Sequence, residues 1–478
     1  MENFSFWDTK VWGFIDLIAV LMLALMAANM LKKLIPAHKK ALIPMSVLGG
    51  VMLLLVAVIF EAVTGENMFN TSFFSGSGSG SLEIITYHCL GLGFAATTLK
   101  PSKGGFSRQR TVEIFDSGVA VVATYVIQAV FGLAVTLLAA WLVDGLFPAA
   151  GVILPFGYGQ GTGQALSYGI IYETEHGFVG GRSFGLTIAA FGFLSASIGG
   201  VIHLNILRKK GHTYKWEYED EKAEKLNGDD IQHPDEIPMN GSMDKLTSQL
   251  MLVFVAYLMA YGMVSLLGKL VPSFKSLFYG LNYLLSVVAA VIIKGVNNAL
   301  RKKGIVKHQH INEFFMTRIS GFLFDIMIVS GIAAIRIRLL ADYWLVLLIL
   351  GIGGAFITYF YDHFVSKKLF PDYAEEQFMM LYGMLTGTAS TGIILLRQLD
   401  PEFKTPAQDN MVYLNFPAIA FGFPMMLIAA VAPEAPLRTF FIVIGLFVAM
   451  NVILFRKYIF IRNSSNNSNT LNIAIFCL

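Results

Sequence analysis

The chain has 478 residues, of which 55% belong to the apolar and aromatic set AVILMFWYC and only 14% are charged, and its mean hydropathy is +0.63. Soluble domains carry about 25% charged residues, and a soluble core of this length could not bury so much apolar surface, so the composition indicates a membrane protein. The formal net charge of +3 is too small to indicate nucleic-acid binding, and the two cysteines, Cys89 and Cys477, provide neither a disulfide framework nor metal-ligand spacing.

Eleven predominantly apolar runs are predicted to cross a bilayer as helices, each close to the roughly 20 residues that a crossing takes. In chain order they are residues 12–31, 42–61, 84–99, 117–143, 183–207, 247–268, 276–295, 320–339, 343–364, 411–432 and 437–458. The first run lacks a basic start and a small-residue cleavage site, so we predict a retained span and not a signal peptide. The predicted fold class is an all-α integral membrane protein with about 10–11 transmembrane helices.

Lysine and arginine concentrate in the loops that follow spans one, three, five, seven, nine and eleven, as at Lys32, Arg208 and Lys367. Because short cytoplasmic loops are enriched in these residues, we predict an N-terminus outside and a C-terminus in the cytoplasm. The polar stretch 208–245 is predicted to be a flexible cytoplasmic linker between two halves of the chain. No role is assigned to the Ser/Asn-rich tail 463–478.

A glycine-rich polar segment, residues 148–169, interrupts the apolar pattern between spans four and five. Gln160, Gly161, Thr162 and Gln164 lie at its centre, between apolar arms too short to span. Glycine releases the helix locally, and unpaired backbone groups survive at membrane depth only where they line a polar cavity or pack inside protein. We therefore predict a re-entrant hairpin whose four central polar and glycine residues bind substrate or ion.

A second segment of the same kind, residues 379–396, lies between spans nine and ten. Its predicted binding residues are Thr386, Gly387, Thr388, Ser390 and Thr391. Half-helix N-termini at such breaks attract anions, while free carbonyls and hydroxyls hold Na⁺, and the predicted Na⁺ ligands are Thr162, Thr388 and Ser390. The alternative is that both segments are glycine-rich helix-packing faces, but their Thr, Ser and Gln content exceeds what packing requires.

The two halves of the chain echo one another. Residues 93–100 and 331–338 share a small-residue core with a cation seven positions after the glycine, and each echo is followed by a span, a polar-glycine interruption and another span. Five spans per repeat make the second repeat enter the membrane inverted, so hairpin tips from opposite sides can meet near the midplane. The predicted organisation is a repeat at 1–207, the linker 208–245, an inverted five-helix repeat at 246–432, and an extra span with a tail at 433–478.

This layout resembles the bacterial sodium/glutamate symporter family, and the resemblance rests on residues 159–162 (Gly-Gln-Gly-Thr) and 386–391 (Thr-Gly-Thr-Ala-Ser-Thr). The resemblance implies Na⁺-coupled uptake of L-glutamate across a bacterial inner membrane by an elevator-type mechanism. It also implies a homodimer, Na⁺ as the co-transported ion and no organic cofactor.

The chain departs from the family's usual pattern at both hairpins. Tyr158 and Gln160 stand where the family usually has Gly and His, and Thr386 and Ala389 stand where it usually has Gly and Pro. A related family that transports 2-hydroxycarboxylates has the same architecture. A Na⁺-coupled transporter of di- or tricarboxylates is therefore the alternative to glutamate transport.

Ionisable and polar residues inside predicted spans are further binding candidates, because a charge there is costly and usually faces the protein interior. Asp325 is a candidate for an Na⁺ or proton role or for a structural ion pair, and Asp16 is expected to be structural. Arg336 could clamp a substrate carboxylate or extend to the interface, and Asn415 could complete the cavity or bond a neighbouring helix. His203 is expected to be hydrogen-bonded in packing.

Two other function classes fit less well. An ion channel would also use unwound Thr/Gly backbone, but filters usually arise from one loop repeated by symmetry, whereas this chain has two unlike segments. The sequence carries no His-Glu-x-x-His, Gly-x-Ser-x-Gly or phosphate-loop motif, so no enzymatic activity is expected.

Overall fold

The structure is a computed structural model, and it describes residues 5–34, 43–101, 107–210, 244–304, 311–400 and 404–458. The regular structure in these ranges is entirely helical. Most of the predicted linker 208–245 and the whole tail 463–478 lie outside the described residues, so these two assignments stay predictions.

The described residues of the first half contain six helices. They are α1 (Thr9–Leu34), α2 (Met45–Thr64), α3 (Gly78–Leu99), α4 (Arg108–Leu142), α5 (Leu154–His176, interrupted at Gly161) and α6 (Gly181–Lys209). Short 3₁₀ turns precede α3 and α5.

The second half contains ten helices in the described residues. They are α7 (Lys245–Leu270), α8 (Lys275–Gly280), α9 (Asn282–Lys302), α10 (Glu313–Ala333), α11 (Trp344–Leu369), α12 (Ala374–Thr386), α13 (Ala389–Arg397), α14 (Ala407–Tyr413), α15 (Asn415–Val431) and α16 (Pro436–Leu454). The predicted seventh span is found as α8 and α9, and the predicted tenth as α14 and α15.

Eleven helices in the described residues are long and apolar enough to cross a membrane, which confirms the predicted number. The third begins earlier than the predicted residue 84, because part of the Ser/Gly run at 75–81 is helical from Gly78 onward. A Cβ on Gly78 would lie 2.3 Å from the carbonyl oxygen of Phe69, so a glycine is needed for this close approach. The eighth span, α10, ends at Ala333 and not at the predicted residue 339, so Arg336 lies beyond its end.

Side-chain caps fix where several helices start. Ser107 accepts the N–H of Arg110 at the start of α4, Asp244 accepts that of Thr247 at α7, and Asn312 accepts that of Phe315 at α10. Such caps satisfy N–H groups that have no partner within the helix. The chain therefore marks helix starts with the residue types that local chemistry favours.

Helices α3 and α10 pack against each other in the interior, where the hydroxyls of Thr86 and Ser330 lie 2.9 Å apart. Helix α1 packs on α2, α7 on α9, and α16 on α4. These three outer helices leave large apolar side chains exposed, such as Phe14, Phe254 and Phe441. Such exposure suits a lipid-facing surface, whereas most residues of α5 and α12 are buried.

Candidate functional site

The first polar-glycine segment folds back on itself at Gly161. The rings of Phe156 and Tyr168 stack with centroids 3.9 Å apart, whereas twelve residues of continuous helix would separate them by about 18 Å. Gly161 has φ 76° and ψ −167°, a conformation that is essentially restricted to glycine. We call residues 150–176 hairpin 1, with one arm on each side of Gly161.

The second arm of hairpin 1 runs antiparallel along α6. A Cβ on Gly185 would lie 2.4 Å from the carbonyl oxygen of Ala165, and one on Gly169 would lie 2.6 Å from that of Gly181. These backbones therefore approach too closely for any side chain, which fixes the position of the hairpin against α6.

The second polar-glycine segment also reverses, between α12 and α13. A Cβ on Gly383 would lie 2.8 Å from the Cα of Gly392, so the two helices contact along their backbones. The reversal occurs at Gly387 and Thr388, and the Thr388 hydroxyl accepts the N–H of Thr391 to begin α13. We call residues 374–397 hairpin 2.

The tips of the two hairpins lie close to each other. A Cβ on Gly161 would lie 3.6 Å from Cγ2 of Thr388 and 3.7 Å from Cε of Met327 in α10. A Cβ on Gly192 in α6 would lie 2.4 Å from the carbonyl oxygen of Thr386. The structure therefore brings together the centres of two segments that are more than two hundred residues apart in the sequence.

The predicted residues of hairpin 1 have three kinds of surroundings. The hydroxyl of Thr162 is buried and donates to the carbonyl of Met327 at 3.1 Å, and the hydroxyl of Tyr283 donates to Gln160 at 3.4 Å. Gln164 is 1% exposed, and neither its amide oxygen nor its amide nitrogen has a hydrogen-bond partner. A buried, unsatisfied amide is costly, so Gln164 is the member of this set most in need of a ligand.

The predicted residues of hairpin 2 surround its tip. Thr386 and Thr391 are buried, and the Thr386 hydroxyl donates to the carbonyl of Tyr382. Thr388 is half-buried. The side chain of Ser390 lies outside the described residues, so its role as a Na⁺ ligand stays a prediction.

The remaining predicted residues have their described contacts away from the tips. Asp325 is exposed and lies beside Ser46 of α2, and Asn415 is exposed at the start of α15. Arg336 donates from its guanidinium to Glu83 at 2.8 Å and from its backbone N–H to Ser183 at 3.0 Å.

Arg336 belongs to an ion network at the outer end of the predicted topology. Glu83 of α3 accepts from Arg336 and also from Arg182 at 2.6 Å, and Arg182 lies 3.3 Å from Glu173 at the end of hairpin 1. Glu83 is buried, and two arginines neutralise it. The network ties the base of hairpin 1 to α3, α6 and the end of α10.

The end of hairpin 2 that lies away from its tip is held by hydrogen bonds. His203 of α6 lies 2.8 Å from Glu375 in the first turn of α12 and 2.7 Å from the hydroxyl of Tyr359. His203, His363 and Glu375 have potential ligand atoms within 4.8 Å of one another.

Just beyond hairpin 2, burial raises the pKa of Asp400, but hydrogen bonds from Thr405 and Lys404 outweigh this effect and leave the pKa below its usual value.

One buried carboxylate was missed by sequence reasoning. Asp362 of α11 is 1% exposed and accepts a hydrogen bond from Thr124 of α4 at 2.6 Å. One turn away on α4, Gln128 donates to Thr358 at 2.8 Å and to the carbonyl of Leu385 in hairpin 2 at 3.0 Å. The signal that could have found Asp362 is an acidic residue inside the predicted span 343–364.

Comparison with known protein families confirms the resemblance. The model of the sodium/glutamate symporter family matches residues 13–375 of this chain, whereas no curated protein matches it. The match includes hairpin 1 and Asp362 and ends at the beginning of α12. Because it covers more than half of the 478 residues, the chain belongs to the sodium/glutamate symporter family.

Proposed function

We propose that this member of the sodium/glutamate symporter family takes up L-glutamate together with Na⁺, and that the substrate binds where the tips of hairpins 1 and 2 meet. The observation that carries the proposal is the close approach of Gly161 to Thr388. Two interrupted helices converge there, and transporter sites are built from such discontinuous helices.

The chemistry of the tips suits a substrate with two carboxylates. The second arm of hairpin 1 begins after Gly161, and α13 begins after Thr388, so two helix N-termini face the junction. The first N–H groups of a helix have no partner within it and carry partial positive charge. The buried, unpartnered amide of Gln164 adds hydrogen-bonding capacity. The same features suit a di- or tricarboxylate, which therefore stays the alternative substrate class.

Both hairpins are proposed to be re-entrant, with hairpin 1 entering from outside and hairpin 2 from the cytoplasm. This follows from the basic loops, because Lys32, Arg208 and Lys367 place the ends of α1, α6 and α11 on the cytoplasmic side. Hairpin 1 then begins and ends outside, and hairpin 2 begins and ends in the cytoplasm.

Reciprocal contacts between the halves support an inverted repeat. Tyr158, Tyr168 and Tyr172 of hairpin 1 donate to backbone carbonyls in α11 and α15 of the second half. In the opposite direction, hairpin 2 is bonded to the first half. Gln128 of α4 donates to the carbonyl of Leu385, and the hydroxyl of Tyr382 donates to the carbonyl of Ser195 in α6. Each hairpin is thus bonded to the fourth and fifth spans of the other half.

We further propose that the hairpins move together in an elevator-type cycle within a homodimer in a bacterial inner membrane, with residues 1–207 and 246–432 as the repeats. Because α16 packs on α4, it stays with the first repeat. The bound partners are then glutamate, Na⁺, lipid and a second copy of the chain.

Transport into proteoliposomes tests the proposal. Purified protein should accumulate labelled glutamate above its equilibrium level when an inward Na⁺ gradient is imposed, and not when K⁺ replaces Na⁺. Unlabelled aspartate, malate and citrate, added in excess, identify the preferred carboxylate. Dissipation of the gradient without accumulation would indicate a channel, and failure of glutamate with success of citrate would replace the substrate class.

A further inference from the structure

Four acidic residues are buried in the described part of the chain, namely Glu83, Asp116, Asp362 and Asp400. Two arginines pair with Glu83. Arg456 and Lys457 pair with Asp116 at 2.7 and 3.2 Å. Asp400 accepts two backbone N–H groups and one hydroxyl from the loop that follows it. The chain therefore stabilises three of these carboxylates with its own cations or with several donors.

Asp362 is the exception among the four. Its Oδ1 accepts one hydrogen bond from Thr124, and its Oδ2 has no hydrogen-bond partner. No cationic side chain of the described residues is paired with it. A carboxylate in a low-dielectric interior is strongly disfavoured unless a positive charge compensates it, so this side chain needs a cation or a proton that the protein itself does not supply.

The surroundings of Asp362 offer the donor atoms that a hard cation prefers. Gln128 of α4 donates to Thr358 at 2.8 Å, and Thr358 lies one turn before Asp362 on the same face of α11. The Gln128 amide oxygen is buried without a hydrogen-bond partner. Unpartnered oxygens on Asp362 and Gln128 therefore come from two facing helices, and oxygen ligands are those that hard cations take.

We infer that Asp362 carries the binding site for the transported Na⁺, with Gln128 as a further oxygen ligand and Thr124 as a positioning residue. This inference rests on the proposed Na⁺-coupled function and differs from the expected Na⁺ ligands Thr162, Thr388 and Ser390. Asp362 provides the negative charge that those neutral residues lack.

The site is connected to hairpin 2 through Gln128. The amide nitrogen of Gln128 donates to the carbonyl of Leu385 at 3.0 Å, and Leu385 directly precedes Thr386 at the tip. Because one side chain both faces the cation and holds the hairpin, Na⁺ binding favours the position of hairpin 2 in which the tips meet. Na⁺ and substrate then raise each other's affinity, as linkage requires.

Na⁺-dependent thermal stabilisation of the purified full-length chain tests the inference without using transport. Melting curves are recorded against NaCl at constant ionic strength, with choline chloride as the replacement and no glutamate present. Asp362→Asn should raise the apparent Kd for Na⁺ by about tenfold or more, since it removes a charged ligand. Thr124→Val, which removes the hydrogen bond that positions Asp362, should raise it by roughly threefold and carries the test if Asp362→Asn does not fold. Asp16→Asn, an acidic residue in α1, serves as the matched control and should leave this Kd unchanged.

The outcomes separate this inference from the proposed function. Wild-type Na⁺ affinity in both Asp362→Asn and Thr124→Val overturns the inference, and the proposed function survives if the wild-type protein accumulates glutamate with Na⁺. Loss of Na⁺ stabilisation in Asp362→Asn supports the inference even where glutamate is not transported, in which case only the substrate proposal fails. A wild-type protein that is stabilised by acid but not by Na⁺, with this response absent from Asp362→Asn, identifies a proton site and overturns the inference.

Discussion

The two hairpins differ in how tightly the rest of the molecule encloses them. In hairpin 1, residues 150–158 and 161–169 are all buried, and Gly161 occupies a backbone conformation that only glycine tolerates. In hairpin 2, residues 377–387 are buried, but Ala389 and Arg397 in the returning helix are exposed and Ile393 and Ile394 are half-buried. Gly387 has a negative φ of −132°. Hairpin 1 is therefore a fixed part of the interior, whereas the returning helix of hairpin 2 has fewer contacts to break.

This difference suggests which hairpin opens. Elements that move in a transport or allosteric cycle come from the less stable parts of a structure, where fewer contacts are buried. Helix α13 fits that description, while hairpin 1 is anchored by tyrosine hydroxyls to α15 and by the Glu83 network at its base. Within the unit that carries both hairpins in the proposed elevator cycle, we expect hairpin 2 to open and so admit and release ligands. We expect hairpin 1 to keep its position relative to that unit and to act as the fixed wall of the site.

The largest effect is expected for Gly161→Ala. Any side chain at φ 76° and ψ −167° strains the backbone by about 1–3 kcal/mol, although the nearest atom to an added Cβ would lie 3.6 Å away. Glutamate uptake in proteoliposomes should fall by roughly 10- to 100-fold. Gly445→Ala, in the regular helix α16 with nothing within 4 Å, is the control and should transport normally. Unchanged uptake in Gly161→Ala would contradict the assignment of hairpin 1 as the fixed wall of the site.

Gly387→Ala should have a smaller effect and thereby sharpen the comparison. Its φ is available to any residue, and a Cβ there would lie 2.9 Å from the Thr391 hydroxyl and 3.0 Å from the carbonyl of Gly383. The flexible hydroxyl can shift by a few tenths of an ångström, but the helix carbonyl yields less readily. We expect uptake to fall by roughly three- to tenfold, measured beside Gly161→Ala. If Gly387→Ala is the more damaging of the two, the assignment of fixed and mobile hairpins is reversed.

Much of this arrangement could be predicted from the sequence, because span length and glycine content are local properties. The helix count and the backbone breaks at Gly161 and Gly387 follow from them. The choice among acidic residues does not. Asp325 and Asp362 both lie in predicted spans, but Asp325 is exposed and Asp362 is 1% exposed. That distinction depends on which face of each helix packs inward, and a nearly uniform apolar helix gives no periodic signal for it.

The tyrosine anchors provide a matched pair between the hairpins. Tyr168→Phe removes a hydrogen bond from hairpin 1 to Met426, and Tyr382→Phe removes one from hairpin 2 to Ser195. Each buried hydrogen bond contributes about 1 kcal/mol, so both variants should lower the melting temperature. If hairpin 2 is the one that opens, Tyr382→Phe should also change the KM for glutamate, while Tyr168→Phe changes only stability. Equal effects on KM would indicate that both hairpins open.

The smallest effect is expected for Arg336→Gln, at the base of hairpin 1. Its side chain is 37% exposed and shares Glu83 with Arg182, so one arginine remains after the substitution. Partly exposed ion pairs contribute about 0–1 kcal/mol, and the melting temperature should fall only slightly, with the KM for glutamate unchanged. Arg338→Gln, which removes a more exposed pair with Glu61, is the control. A tenfold or larger rise in the KM for glutamate in Arg336→Gln, but not in Arg338→Gln, would instead indicate that Arg336 binds the substrate carboxylate. The base of hairpin 1 would then loosen during transport, and hairpin 1 would not be a fixed wall.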